Sequence, residues 1–327
     1  MVTNIWFWII FNLFVLILLA IDLGIFHREA HEVSVKEAAI WSVVWVSLAL
    51  LFNAGIYFLA GPEPGLEFLT GYLIEKSLSV DNIFVFVLIF SYFGVPDKYQ
   101  HRVLFWGILS ALVMRGILIA VGAYLIAQFH WIIFVFGAFL VLTGIRMAMR
   151  QEHNIDADAN PLVRLVRRVI PVTAEYHGEK FFIRQAGKLV ATPLFVVLIL
   201  VEFTDLIFAV DSIPAIFAVT DDPFLVYTSN VFAILGLRSL YFLLDGVVDR
   251  FHLLKLGLAV ILIFVGSKML ISDIYKLPIG ISLAVIAAIL TLSLIGSLLF
   301  PKRAHADRPE DKHHELLSPS NGLEESR

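Results

Sequence analysis

Two stretches decide how this chain reads: Glu75-Lys-Ser-Leu-Ser-Val-Asp81-Asn82 and Glu202-Phe-Thr-Asp205-Leu-Ile-Phe-Ala-Val-Asp211-Ser212. Both lie inside apolar sequence. In each, two carboxylates stand six residues apart, Glu75 with Asp81 and Asp205 with Asp211. A small polar residue, Asn82 or Ser212, follows the second carboxylate, and the two pairs are offset by 130 residues. An ionisable side chain within an apolar helix is costly unless it is paired or turned to a polar cavity, so all four are functional-site candidates.

The surrounding composition explains why the matrix is apolar. Of 327 residues, 59% are hydrophobic and 16% charged, against roughly half and a quarter in an ordinary soluble domain. This balance predicts a polytopic membrane protein. Segments of the roughly 20 residues needed to cross the hydrocarbon core fall at 5–26, 38–60, 67–93, 102–127, 131–149, 190–217, 224–244, 253–273 and 279–300, nine in all. The first lacks a basic leader and a small-residue cleavage site, so it is expected to be retained in the membrane. Residues 1–300 are therefore read as one transmembrane domain. The polar stretch 301–327 is read as a cytoplasmic tail with too little apolar sequence to order itself.

Charge sets the orientation. The connections 27–37, 94–102, 146–189, 245–255 and the tail hold 19 of the 24 Lys and Arg residues, whereas the alternate connections hold only Lys276. By the positive-inside rule the N-terminus is outside and the C-terminus cytoplasmic. Two elements are expected in the long 150–189 loop. Residues 161–170 suit a short basic helix on the membrane surface, and residues 181–190 read as two strands around a glycine turn. Both are expected to serve gating or packing.

The likeness of the two motifs extends to whole segments. Arg115 has a counterpart in Arg238, Phe129-His130 in Phe251-His252, and Gly144-Ile-Arg146-Met147 in Gly266-Ser-Lys268-Met269, the last at an offset of 122. Spans 3–5 and 6–8 thus read as copies. Three spans is an odd number, so the copies insert in opposite directions. Such 3+3 inverted repeats place a transporter's site near the bilayer midplane, at the repeat interface.

On a straight helix six residues correspond to about 9 Å of rise and some 120° of rotation, so Glu75 and Asp81 cannot hold one ion together. Either the helix unwinds locally, as Pro214 invites by leaving the Val210 carbonyl without a donor, or each ion takes one carboxylate from each repeat. Glu75, Asp81, Asn82, Asp205, Asp211 and Ser212 form an all-oxygen donor set, suited to Mg²⁺, Ca²⁺ or Mn²⁺. Lys76, Arg115 and Arg238 are accessory candidates able to neutralise carboxylates as structural pairs. Glu202 and Asp22 add to the acid surplus, although Asp22 falls at the cytoplasmic edge of the first span. Carboxylate rows also relay protons.

Other chemistries are poorly served. The chain has no cysteine, which excludes disulfides, thiolate metal sites and thiol catalysis. No nucleophile elbow, phosphate loop or nucleotide domain is present. An enzyme, an organic cofactor and a nucleic-acid partner are therefore not expected, and protein partners stay open.

The motifs together with Ala20-Ile-Asp22-Leu and Ser229-Asn-Val-Phe-Ala-Ile-Leu-Gly-Leu-Arg238 resemble the TerC family of bacterial integral membrane proteins, its Alx branch above all. The resemblance covers residues 15–300. It implies a manganese exporter of the bacterial inner membrane, with the family's acidic positions falling on Glu75, Asp81, Asp205 and Asp211. It also brings a link to alkaline-induced expression and, by name, to tellurium resistance. The expectation is a secondary transporter exporting Mn²⁺, with protons as the exchanged ion and Ca²⁺ as the alternative cargo. The competing expectation is an accessory membrane protein that hands metal to partners or scaffolds a tellurium or metal stress complex.

Overall fold

The computed structural model describes residues 5–21, 33–149, 171–173, 175–185, 187–244, 252–275 and 277–299. Asp22, the basic segment 161–170 and the tail 301–327 lie outside these residues. The described chain is helical apart from one hairpin. Its helices are α1 (Ile5–Ile21), α2 (Val35–Ala60), α3 (Pro62–Phe93), α4 (Asp97–Gln128), α5 (Ile132–Met149), α6 (Pro193–Phe217), α7 (Pro223–Leu235), α8 (Leu237–Leu244), α9 (His252–Leu270) and α10 (Ile279–Leu299). The hairpin pairs β1 (Phe182–Gln185) with β2 (Lys188–Ala191).

Local chemistry explains the boundaries. Ser34 caps α2 by accepting from the Glu37 amide at 3.2 Å, and Asp222 caps α7 by accepting from Phe224 at 2.9 Å, which satisfies backbone donors that have no helical partner. Proline starts α3, α6 and α7, where its missing N–H costs nothing. Gly94 ends α3 in the left-handed region, at φ 59°, where glycine meets no Cβ penalty.

Helix is found within every one of the nine expected segments. Among the described residues α2, α4, α5, α6, α9 and α10 are each long and apolar enough to cross a membrane, making six, or seven if the bent pair α7–α8 is one span. This is a multi-pass helical membrane protein. Its outer faces are correspondingly greasy: Phe58 is 82% exposed, Leu59 85% and Leu142 67%. The expected single segment 224–244 needs correction, because α7 and α8 meet at a bend of 40°. The break falls at Gly236, next to Lys76 and Trp45.

The core centres on α3, which packs against α2, α6, α7 and α10, while α4 packs on α6 and α7 and α5 on α9. The α5–α9 seam is tight because glycines let the backbones approach. A Cβ on Gly137 would sit 3.0 Å from the Gly266 carbonyl, and one on Gly144 would sit 2.7 Å from the Ala259 carbonyl. At the 122-residue offset, Gly137 aligns with Ala259 and Gly144 with Gly266. The two contacts therefore map onto each other, and the seam is self-complementary.

The hairpin lies where the 181–190 reading put it, turning at Gly187 with φ 78°. Tyr176 ties this region to the end of α3 by donating to the Phe93 carbonyl at 2.8 Å. Burial pushes the Tyr176 phenol up to about 12, so it remains a donor at physiological pH. Asn53, inside α2, has an Oδ1 with no hydrogen-bond partner.

Gly266→Ala puts a methyl against the Gly137 backbone at 2.6 Å, whereas Gly280→Ala meets nothing within 4 Å. Overpacking costs about 1–3 kcal/mol. Thermal unfolding in detergent is expected to show a clear loss of stability for Gly266→Ala and none for Gly280→Ala. Equal behaviour would contradict this seam.

Candidate functional site

Both motif helices run unbroken through their carboxylates: α3 is continuous from 62 to 93 and α6 from 193 to 217, with Pro214 inside its final turn. Local unwinding, one of the two geometric options, is not the one adopted. The carboxylates of each motif consequently point in different directions, and each finds its company in the other repeat.

Glu75 and Asp205 converge on Arg115 of α4. Arg115 Nη2 donates to Asp205 Oδ1 at 2.8 Å and Nε to Oδ2 at 3.1 Å, forming a two-pronged pair, while Nη1 donates to Glu75 Oε1 in a close ion pair. Nη1 also lies 3.3 Å from Asn230 Oδ1 on α7, and Asn82 Nδ2 donates to Asp205 Oδ1 at 3.4 Å. Arg115, Glu75 and Asp205 are 2%, 1% and 4% exposed. Such burial is tolerable because the charges offset one another, and the planar guanidinium fork suits two carboxylates as an ammonium does not. One positive charge still faces two negative ones. Two oxygens of this cluster, Glu75 Oε2 and Asn82 Oδ1, have no hydrogen-bond partner.

Asp81 and Asp211 form the second pair, half-buried and within electrostatic reach of one another. Thr143 of α5 donates to Asp211 Oδ1 at 3.2 Å. Arg146 on α5 acts on Asp211, and Lys255 on α9 acts on Asp81. Ser212 is buried next to Asp211, and its hydroxyl oxygen has no hydrogen-bond partner. Among the described residues no three His, Asp or Glu side chains stand close enough together to hold a metal ion. The acids are arranged as two cross-repeat pairs.

The accessory candidates separate. Lys76 reaches the broken helix, where Nζ donates to the Ala233 carbonyl at 3.4 Å. That carbonyl belongs to the last turn of α7, which attracts cations. Arg238 does not join Arg115: its Nη1 lies 3.2 Å from His101 Nε2 at the start of α4. Glu202 contacts Ser110 of α4, and Asp22 is outside the described residues.

Sequence reading missed a further acid group. Thr220 donates to Glu67 Oε2 at 2.7 Å, and Glu63, Asp221 and Asp222 surround Glu67 electrostatically. These come from the 61–66 and 218–223 connections and the adjoining end of α3, on the side read as external. An acid opening the third apolar segment was the available signal. Thr143 carried none, since Thr is common in membrane helices as a local hydrogen-bonding group, and Asn230 stood out only as part of the 229–238 motif.

The chain matches the family described as Integral membrane protein TerC family over residues 60–305. It is 55% identical over 306 residues to the uncharacterized membrane protein STKORF319 of Myxococcus xanthus, covering 93% of this chain and 96% of that protein. It is 55% identical over 295 residues to Alx of Escherichia coli strain K12, covering 87% and 92%, and 54% identical over 294 residues to Alx of Salmonella typhi, covering 87% and 91%. Alx is named as a candidate membrane-bound redox modulator. No solved structure matches at a significant level.

Removing one partner of a buried ion pair costs about 3–5 kcal/mol, so Arg115→Leu is expected to lose most folded protein in size-exclusion chromatography. Adding Asp205→Asn should recover part of it by removing one uncompensated charge. Undiminished folding of Arg115→Leu alone would contradict the role given to this cluster.

Proposed function

The chain belongs to the TerC family of integral membrane proteins, and from that premise we propose that it is a secondary transporter exporting Mn²⁺ from the bacterial cytoplasm across the inner membrane in exchange for protons. The observation that carries the proposal is the pairing of acids across the repeats. Asp81 and Asp211 lie within electrostatic reach of one another, and the hydroxyl of Ser212, next to Asp211 in sequence, is unsatisfied; Glu75 and Asp205 meet on a single arginine. Two carboxylates and neutral oxygens are what a hard divalent cation seeks. In this reading Asp81 and Asp211 bind the ion, and Ser212 adds an oxygen. Glu75, Asp205 and Asn82 either complete the site or carry protons. Manganese, rather than calcium, follows from the family resemblance.

Nine spans, of which 3–5 and 6–8 are inverted copies, with the N-terminus outside, complete the proposal. Support comes from the self-complementary α5–α9 seam, and from the exchange of α3–α7 packing with α6–α4 packing under the same repeat. The charge bias of the connections favours the orientation. Export would then lead towards Glu67, Glu63, Asp221 and Asp222, whose negative field draws a cation outward.

The second reading is an accessory protein that hands metal to partners, and the relatives' name as redox modulators favours keeping it. With no cysteine in the chain, redox modulation would have to act through the metal rather than through thiols. Autonomy separates the readings. Proteoliposomes containing only this protein are expected to take up Mn²⁺, faster when the lumen is acidic because protons then leave as manganese enters. Collapsing the gradient should remove the acceleration, and Asp211→Asn should reduce the flux to the protein-free level. No flux from correctly folded protein would favour the accessory reading; full flux in Asp211→Asn would remove Asp211 from the site.

A further inference from the structure

Lys76 is a base inside an apolar helix, and no acid among the described residues pairs with it. Its neighbour Glu75 is taken by Arg115. The Lys76 Nζ donates instead to the Ala233 carbonyl at 3.4 Å. That is long for a hydrogen bond, so the attraction is chiefly that of a charge for the carbonyl end of a helix. The carbonyl is free to receive it because of the break. In a continuous helix the Leu237 amide would donate to Ala233, but α7 ends at Leu235 and α8 starts at Leu237 after a bend of 40°.

Space has been cleared for the ammonium. Gly236 has φ −84° and ψ 2°, a backbone that residues with side chains also adopt, so the missing side chain serves room and not conformation. A Cβ there would lie 2.6 Å from Lys76 Nζ and 3.2 Å from Trp45 Cβ. The repeat gives a second, independent sign. Registered on Arg115 and Arg238, Ala233 answers to Ser110 and Gly236 to Val113 of the unbroken α4. At the 130-residue offset Lys76 answers to Leu206. The helix that breaks therefore packs against the motif helix with the lysine, α3, and the helix that stays whole packs against the motif helix with the leucine, α6.

We propose that the α7–α8 break is a monovalent-cation site and that Lys76 is its built-in occupant, an ammonium fixed at the freed Ala233 carbonyl where a small free cation would otherwise sit. Broken helices in membrane transporters hold ions on such carbonyls. Here the ion is covalently attached, so the site is full without any salt. Lys76 is thereby a positioning residue for the acid cluster. Asn230 lies three residues before Ala233 on the same face of α7, and its Oδ1 accepts from Arg115 Nη1 at 3.3 Å. Adjacent residues of α3 grip α7 twice, Glu75 through Arg115 and Asn230, and Lys76 through Ala233. None of this depends on manganese export.

Lys76→Ala deletes a propylammonium group, so free propylammonium is the probe. Full-length Lys76→Ala is extracted and held in propylammonium chloride or in tetramethylammonium chloride of equal ionic strength, whose cation has no N–H to donate. The first salt should give several-fold more monodisperse protein in size-exclusion chromatography, and a higher unfolding temperature. Wild type should not distinguish the two salts, because its site is filled. Lys76→Ala combined with Gly236→Ala should not distinguish them either, because the added Cβ takes the room. Lys76→Met, which keeps an apolar stem without the charge, should be less stable than wild type in both. Equal recovery of Lys76→Ala in the two salts, high or low, would overturn the proposal. So would wild-type stability in Lys76→Met, an equal gain from propylammonium in wild type, or a gain that survives Gly236→Ala. The readouts need no Mn²⁺ flux, so they can fail while export stands, and export can fail while they hold.

Discussion

The fold depends on one buried guanidinium. Arg115 sits where α3, α4, α6 and α7 meet, and it joins a carboxylate from each motif with the Asn230 amide. Without it, two ionised acids would face each other in an apolar interior, where Coulomb repulsion is poorly screened. Its presence also divides labour within each motif. Glu75 and Asp205 are held inward on Arg115, so the straight helices carry Asp81 and Asp211 about 9 Å further along and some 120° round, towards α5 and α9.

Repetition accounts for much of this arrangement, and departures from it are informative. The glycine seam of α5 and α9 obeys the repeat, as does the meeting of the equivalent acids Glu75 and Asp205 on Arg115. Three features do not. Arg115 holds acids while Arg238 lies against His101; α4 is continuous while its counterpart breaks at Gly236; and Glu202 stands where the first copy has Tyr72.

The apolar helices, the hairpin turn and the divergence of the two acids within each straight motif helix were legible because each rests on local rules: apolar length, a glycine at positive φ, and helical periodicity. The partners of Arg115 were not. They lie 40 and 90 residues away, and no periodicity within a helix connects them, so Arg115 appeared only as one of several bases able to neutralise acids. The break at Gly236 was equally hidden. A glycine inside an apolar segment is common in membrane helices, and what leaves no room for a Cβ at this one is its closeness to the Lys76 ammonium and Trp45, a tertiary fact. The role of Glu67 was missed because its partner Thr220 comes from the other repeat.

The proposal at the centre of this account is that Asp81 and Asp211, one from each repeat, together hold the cargo. Free Mn²⁺ has an electron paramagnetic resonance spectrum that broadens on binding, so titration of the purified protein counts bound ions directly. The account predicts a site that either Asp81→Asn or Asp211→Asn severely weakens, with no further loss when the two are combined. Undiminished Mn²⁺ binding in both single variants would contradict it.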